Sequence, residues 1–151
     1  MNATVTRLPS ARAFFAVALD VDQQHLVRDV RERAAARMKE FLPTGSDVVQ
    51  TDQGVAAVVH VAVGDAEHVA RLLARRMLSV LREPYRLPAG QERARPSVGI
   101  VCVRSDEHGA FTDTLGRAEI ALARARSRPV EPIAFEGDQA PRSQAPPAAA
   151  A

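Results

Sequence analysis

The chain has 151 residues, the size of one domain, and its 20 basic residues against 18 acidic leave a formal net charge of only +2. One cysteine, Cys102, excludes an internal disulfide framework, and no apolar run approaches the roughly 18 residues that span a bilayer. The opening Met1–Ser10 lacks the basic-then-apolar layout of a secretory signal, so a cytoplasmic soluble domain is expected.

Phe14 to Leu19 is a continuous apolar run that stops at Asp20-Val21-Asp22, a length and ending that suit a buried strand. From Asp22 the period changes to four, with Leu26, Val30, Ala34 and Met38 on one stripe and Arg28, Arg31, Glu32 and Arg33 elsewhere. This predicts an amphipathic helix with Asp22 as its N-cap and Pro43 and Gly45 closing it. Asp47–Gln50 and Val55–Val63, joined by Thr51-Asp52-Gln53-Gly54, read as a hairpin, with Gly54 as the left-handed turn residue or a point where a phosphate could approach. Asp65 is expected to cap a second helix reaching about Arg82. Val69, Leu72, Leu73, Met77, Val80 and Leu81 form its buried stripe, and Glu67, Arg71, Arg75 and Arg82 its wet face. Tyr85–Leu87 reads as a short strand and Ser97–Val103 as a buried one. Phe111–Arg126 is a third helix with Leu115, Ala118, Leu122 and Ala125 inward, and Pro132–Phe135 is a last strand.

This order predicts an α+β fold with helices packed on one face of a mostly antiparallel, palm-like sheet of the ferredoxin-like kind. Residues 1–10 are expected to be loosely ordered and 11–136 folded. Residues 137–151, with three of the ten prolines and a terminal Ala run, read as a disordered tail.

The chemistry-bearing residues are sparse. His25, His60, His68 and His108 have no metal-ligand spacing, and Cys102 lies on a buried strand pattern as a small core residue. No nucleophile, base and orienting residue can be assembled. Arg71, Arg75, Arg76 and Arg82, and again Arg124, Arg126 and Arg128, concentrate positive charge. They read as solvated helix faces, and the scarcity of aromatics argues against nucleic acid. Asp20 and Asp22 read as a strand end and a helix cap.

Several segments, in order, resemble the GGDEF (diguanylate cyclase) family over roughly residues 14 to 135. Leu19-Asp20-Val21-Asp22 is similar to the family's LD-x-D strand end, and Val55-Ala56-Ala57-Val58-Val59 to the strand leaving the signature turn. Ser97-Val98-Gly99-Ile100 resembles its S-x-G-I strand, and Ala118–Arg126 its A-D-x-A-L-Y-x-A-K helix. The resemblance implies a palm-like domain in which two monomers each hold GTP and join them into cyclic di-GMP, with carboxylates holding divalent metal at the triphosphate.

The same resemblance marks what is degenerate. Asp20 stands at the first metal carboxylate, but aligning Val55 with the signature Phe puts Thr51-Asp52-Gln53-Gly54 where Gly-Gly-Asp-Glu is expected. Asp52 is thus a carboxylate one residue early, which changes its direction in a hairpin. The stretch between Asp20 and the hairpin is too short for the helix that recognises guanine. The Arg of the R-x-x-D product site is Thr44, and the phosphate-contacting Lys is Arg126. The resemblance therefore implies an inactive regulatory or protein-interaction domain of cyclic di-GMP signalling, without a catalytic set, a metal or another cofactor. Asp20, Asp22, Asp52, Gly54 and Arg126 are its vestigial nucleotide-binding positions. An unknown protein partner, a homodimer and weak GTP or cyclic di-GMP binding are the expected interactions. The alternative is an active cyclase or nucleotidyl transferase using Mg2+ on a shifted set, Asp20, Asp22 and Asp52.

Overall fold

The apolar run near the start of the chain becomes the centre of a sheet. In the computed structural model, which describes residues 10–104 and 110–138, β1 (Ser10–Asp20) has antiparallel neighbours on both sides. It pairs with β3 (Gly54–Ala62) from Ser10↔Ala62 to Ala18↔Gly54, and with β6 (Arg95–Arg104) from Ala11↔Arg104 to Asp20↔Arg95. β2 (Asp47–Gln50) extends the sheet beyond β3, and β7 (Ile133–Phe135) lies parallel to β6, giving the order β2-β3-β1-β6-β7. β4 (Tyr85–Leu87) and β5 (Gly90–Glu92) form a separate ribbon. Among the described residues three helices accompany the sheet: α1 (Val27–Phe41), α2 (Ala66–Leu81) and α3 (Phe111–Arg126). The single parallel pair, β6 with β7, is bridged by α3, because parallel strands need a crossover.

The helices cover both faces of the sheet, not one. Ala13, Phe15, Val17 and Leu19 of β1 share a core with Val30, Ala34 and Met38 of α1 and Ala70, Ala74, Met77 and Leu81 of α2. Phe14, Ala16 and Ala18, of the opposite parity, pack with Ala118 and Leu122 of α3. This accounts for the continuous apolar run in β1: a strand buried on both faces has no polar parity. α3 sits directly on β6 at Gly99, where an added Cβ would lie 2.2 Å from the Leu122 nitrogen and 2.3 Å from the Ala118 oxygen.

Several local expectations are corrected. Asp22 does not cap α1. A 3-10 turn, Gln24–Leu26, precedes the helix, its N-cap is Leu26, and Asp22 instead accepts a hydrogen bond from Arg95 at 2.9 Å. Asp65 holds the N-cap position of α2 without a side-chain cap bond. On α2 the buried stripe is Ala70, Ala74, Met77, Leu78 and Leu81, with Leu72 50% exposed. On α3, Thr114 and Ala121 are buried while Ile120 is 63% exposed. In both helices small residues carry the close approach to the sheet and rotate the larger ones to the margin. His108, residues 1–9 and residues 139–151 lie outside the described residues.

The arginines do more than solvate helix faces. Arg37 donates to the Val80, Glu83 and Pro84 carbonyls at 3.2, 2.8 and 2.6 Å, closing the end of α2, and stacks 3.8 Å from the Tyr85 ring centroid. Arg71 stacks on Phe135, Arg75 pairs with Glu131 at 2.6 Å, and Arg117 pairs with Glu136. The hydrogen bonds from Arg75 and Arg117 hold the Glu131 and Glu136 carboxyls below the usual range. Arg124 and Arg128 donate to the Asp138 and Ile133 carbonyls. These contacts clamp the short β7 segment to α2 and α3.

Candidate functional site

The sheet brings the end of β1 beside the β2–β3 turn, and the helices bring the start of α1 and the end of α3 to the same edge. Asp20, Asp52, Gln24, Arg31 and Arg126 line one cavity of about 190 Å3 there. Three of the five expected positions therefore converge. Asp20 is half-exposed, and its Oδ1 accepts a hydrogen bond from the Arg126 Nη2 at 2.7 Å. The two residues lie at the ends of β1 and α3, a carboxylate and a guanidinium brought together across the fold.

Asp22 is not part of this cavity. It is exposed and directed to Arg95 at the start of β6. Asp52 is exposed at the hairpin tip, which is tied down by its neighbours. The Leu19 N–H donates to the Gln53 carbonyl at 3.1 Å, the Thr51 N–H to the Gly54 carbonyl at 3.0 Å, and the Gly54 N–H to the Thr51 hydroxyl at 3.1 Å.

Gly54 is a strand residue, not a left-handed turn residue; the positive-φ glycines among the described residues are Gly45 and Gly90. A Cβ at Gly54 would lie 2.4 Å from the Val17 carbonyl oxygen and 3.1 Å from the Leu19 nitrogen. Its lack of a side chain serves the close approach of β3 to β1. The space beside it is filled by protein backbone, so no phosphate approaches Gly54 from that side.

Arg31 carries a signal that periodicity passes over. Its Nε is buried and has no hydrogen-bond partner among the described residues. The helical pattern places Arg31 off the apolar stripe, and nothing in that pattern reveals that α1 starts against the hairpin. With Arg126, it gives the cavity two guanidiniums to set against Asp20 and Asp52.

A divalent ion at a triphosphate takes one or two carboxylates together with phosphate oxygens. Here the Asp20 carboxylate is met by the Arg126 guanidinium through one of its two oxygens. Among the described residues no group of three or more His, Cys, Asp or Glu side chains is arranged to hold a metal ion. Cys102 is partly buried against the core away from this edge. Burial, with a smaller contribution from Glu67, pushes its thiol up to about 11.

No protein-family model and no curated protein matches the chain. Solved structures do. An EAL/GGDEF domain protein from M. capsulatus is 22% identical with a TM-score of 0.63, over 89% of this chain and 88% of that one. The GGDEF domain of DgcB from Caulobacter crescentus, solved in complex with c-di-GMP, is 13% identical with a TM-score of 0.62, over 86% and 80%. The diguanylate cyclase SiaD from Pseudomonas aeruginosa, solved with its activator SiaC, is 20% identical with a TM-score of 0.57, over 85% of this chain and 50% of that one. Both the α+β architecture and the mostly antiparallel palm-like sheet expected from the residues are thus present, and this chain has the fold of GGDEF domains.

Proposed function

We propose that this domain is a catalytically inactive GGDEF-fold module that acts through binding, as a regulatory or protein-interaction element of cyclic di-GMP signalling. The observation that carries the reading is the Asp20–Arg126 ion pair, which places a guanidinium on the carboxylate that would have to hold metal. Two further features support it. Gln53 and Gly54 stand in place of the signature acids. The chain runs from Asp20 to α1 through only a 3-10 turn, with no helix between them to contact a base. SiaD, with its activator SiaC, is a precedent for a GGDEF-fold protein that works with a protein partner. Among the described residues no helix is long and apolar enough to cross a membrane. A cytoplasmic location and a homodimer belong to the same proposal, and light scattering tests the dimer.

The test is incubation with GTP and Mg2+ or Mn2+, followed by mass spectrometry for cyclic di-GMP. No product is expected. Product that disappears in Asp20→Asn overturns the reading. It would favour the active alternative, for which the placement of Asp20 and Asp52 on one cavity is the supporting observation. Calorimetry with GTP and cyclic di-GMP decides whether that cavity still takes a nucleotide.

A further inference from the structure

A larger cleft lies on the other side of the Asp20–Arg126 pair. It encloses about 520 Å3, within the range of small-molecule sites, and five arginines line it: Arg82, Arg93, Arg95, Arg126 and Arg128. Among the described residues Asp20 is the one carboxylate in the lining. These arginines come from separate parts of the chain. Arg82 is the C-cap of α2, Arg93 follows β5, Arg95 opens β6, and Arg126 and Arg128 stand at and just past the end of α3. Two local pairs, Arg93 with Arg95 and Arg126 with Arg128, are brought to each other and to Arg82 by the fold.

The cleft keeps an excess of positive charge after every observed pairing. Arg126 is paired with Asp20, Arg95 with Asp22, and Arg128 with Asp138 at 3.4 Å. Among the described residues Arg82 and Arg93 have exposed side chains with no ion-pair partner. Glu92, the nearest acid in sequence to Arg93, is buried and spends its carboxylate on the backbone N–H groups of Gln23 and Arg93. Pro96, Pro129 and Pro132 also line the cleft, and their fixed φ stiffens its walls.

Like charges gathered in a concave site await an anion, and guanidinium is the cation whose fork matches phosphate oxygens two at a time. Separate guanidiniums spread around one cleft suit adjacent phosphates better than a single one. We infer that this cleft binds a small ligand carrying two or more linked phosphates. The cleft adjoins the hairpin cavity and shares Asp20 and Arg126 with it, but Asp52, Gln53 and Arg31 line only the one, and Arg82, Arg93 and Arg95 only the other.

The experiment is calorimetric titration of the full chain with inorganic tripolyphosphate at physiological salt without divalent metal, with orthophosphate, ATP and duplex DNA in parallel. Binding of tripolyphosphate, and weaker binding of orthophosphate, is expected. Removing one guanidinium from the phosphates should weaken binding roughly tenfold, so Arg82→Gln with Arg93→Gln should weaken it strongly. Arg28→Gln with Arg76→Gln removes the same charge from exposed helix positions elsewhere and should leave the affinity within about twofold. Circular dichroism confirms that both double variants are folded. ATP binding as tightly as tripolyphosphate would mean that the phosphates alone are read, and tighter ATP binding that the nucleoside adds contacts; both support the site. Absence of tripolyphosphate binding at millimolar ligand, equal loss in the two double variants, or tighter binding of duplex DNA overturns the inference.

Discussion

Gly54→Ala probes the join between the hairpin and β1, because the new methyl would be placed 2.4 Å from the Val17 carbonyl oxygen. That atom is backbone in the central strand and cannot swing away as a side-chain tip could. β3 must separate from β1 locally, and the Leu19 N–H to Gln53 carbonyl bond, at 3.1 Å, lies at the point of separation. Overpacking of this kind costs about 1–3 kcal/mol, and the loss of one such hydrogen bond about 1 kcal/mol more. The φ of Gly54 is one that alanine can adopt, so the lower entropy of the unfolded alanine chain offsets about 0.4–1 kcal/mol.

The expected net loss is about 2–3 kcal/mol, a large share of the roughly 5–15 kcal/mol that holds a domain folded. Urea unfolding followed by far-ultraviolet circular dichroism measures it. With a slope of about 1–3 kcal/mol per molar, the midpoint should fall by about 1–2 M at unchanged slope. A loss under about 0.5 kcal/mol would refute the reasoning, since it would mean that the strands part freely at the hairpin. The same steric limit bears on function. A glutamate at Gly54, the residue the family signature has there, would carry the same Cβ into the same oxygen, so restoring the signature in this register should not restore a site.

Gly99→Ala should cost at least as much, about 3 kcal/mol, because its Cβ would meet α3 backbone at 2.2 Å; an unchanged thermal midpoint would contradict the packing of α3 on β6. Tyr85 is the chain's one tyrosine, so absorbance near 295 nm reports it alone. Burial pushes its phenol up to about 12, with Arg37 opposing, from an ordinary value of 10.0. The native state therefore holds this proton longer than the unfolded state. The contribution of Tyr85 should be intact below pH 10 and fall by about 2–3 kcal/mol as the pH approaches 12, and Tyr85→Phe should remove that part of the alkaline loss while leaving the part due to Cys102, which begins near pH 9. Cys102, pushed up to about 11 by burial and by Glu67, should react with a disulfide reagent at pH 8 about a hundredfold more slowly than a free peptide thiol; comparable rates would show the thiol to be accessible.

Strand and helix identities were legible because they rest on short-range periodicity. α3 spans Phe111–Arg126 as the pattern predicts, and β2 is Asp47–Gln50. What failed depends on partners far away in sequence. The double-sided run in β1 already contained the information that both faces are covered, but an apolar parity does not say which helix covers it. Asp22 has the composition of a cap and the position of one, yet Arg95, 73 residues away, takes its carboxylate. Arginines read as solvated turn out to hold backbone carbonyls and rings, since their long stems reach across elements that periodicity treats separately. Of the residues that line the hairpin cavity, Asp20, Asp52 and Arg126 were singled out by motif position, whereas Arg31 has no motif and is visible only once α1 is docked.

The chain's unusual basic composition, almost all Arg, connects the two halves of the functional proposal. An arginine paired with a carboxylate weakens its hold on a metal ion, and the fold sets Arg126 against Asp20. The compact ammonium of a lysine would place a point charge there. The planar guanidinium instead spends one nitrogen on Asp20 and leaves others to face the neighbouring cleft, which Arg126 also lines. The pairing that argues against metal chemistry on one side thus contributes to a phosphate-binding surface on the other. Arg126→Ala separates these roles. It frees Asp20, and if Asp20 and Asp52 could hold a metal once released, Mn2+ should then raise the thermal midpoint of the variant but not of the parent chain. On the present geometry, with Asp52 exposed at the hairpin tip, neither protein should respond, while tripolyphosphate binding by the variant should weaken roughly tenfold.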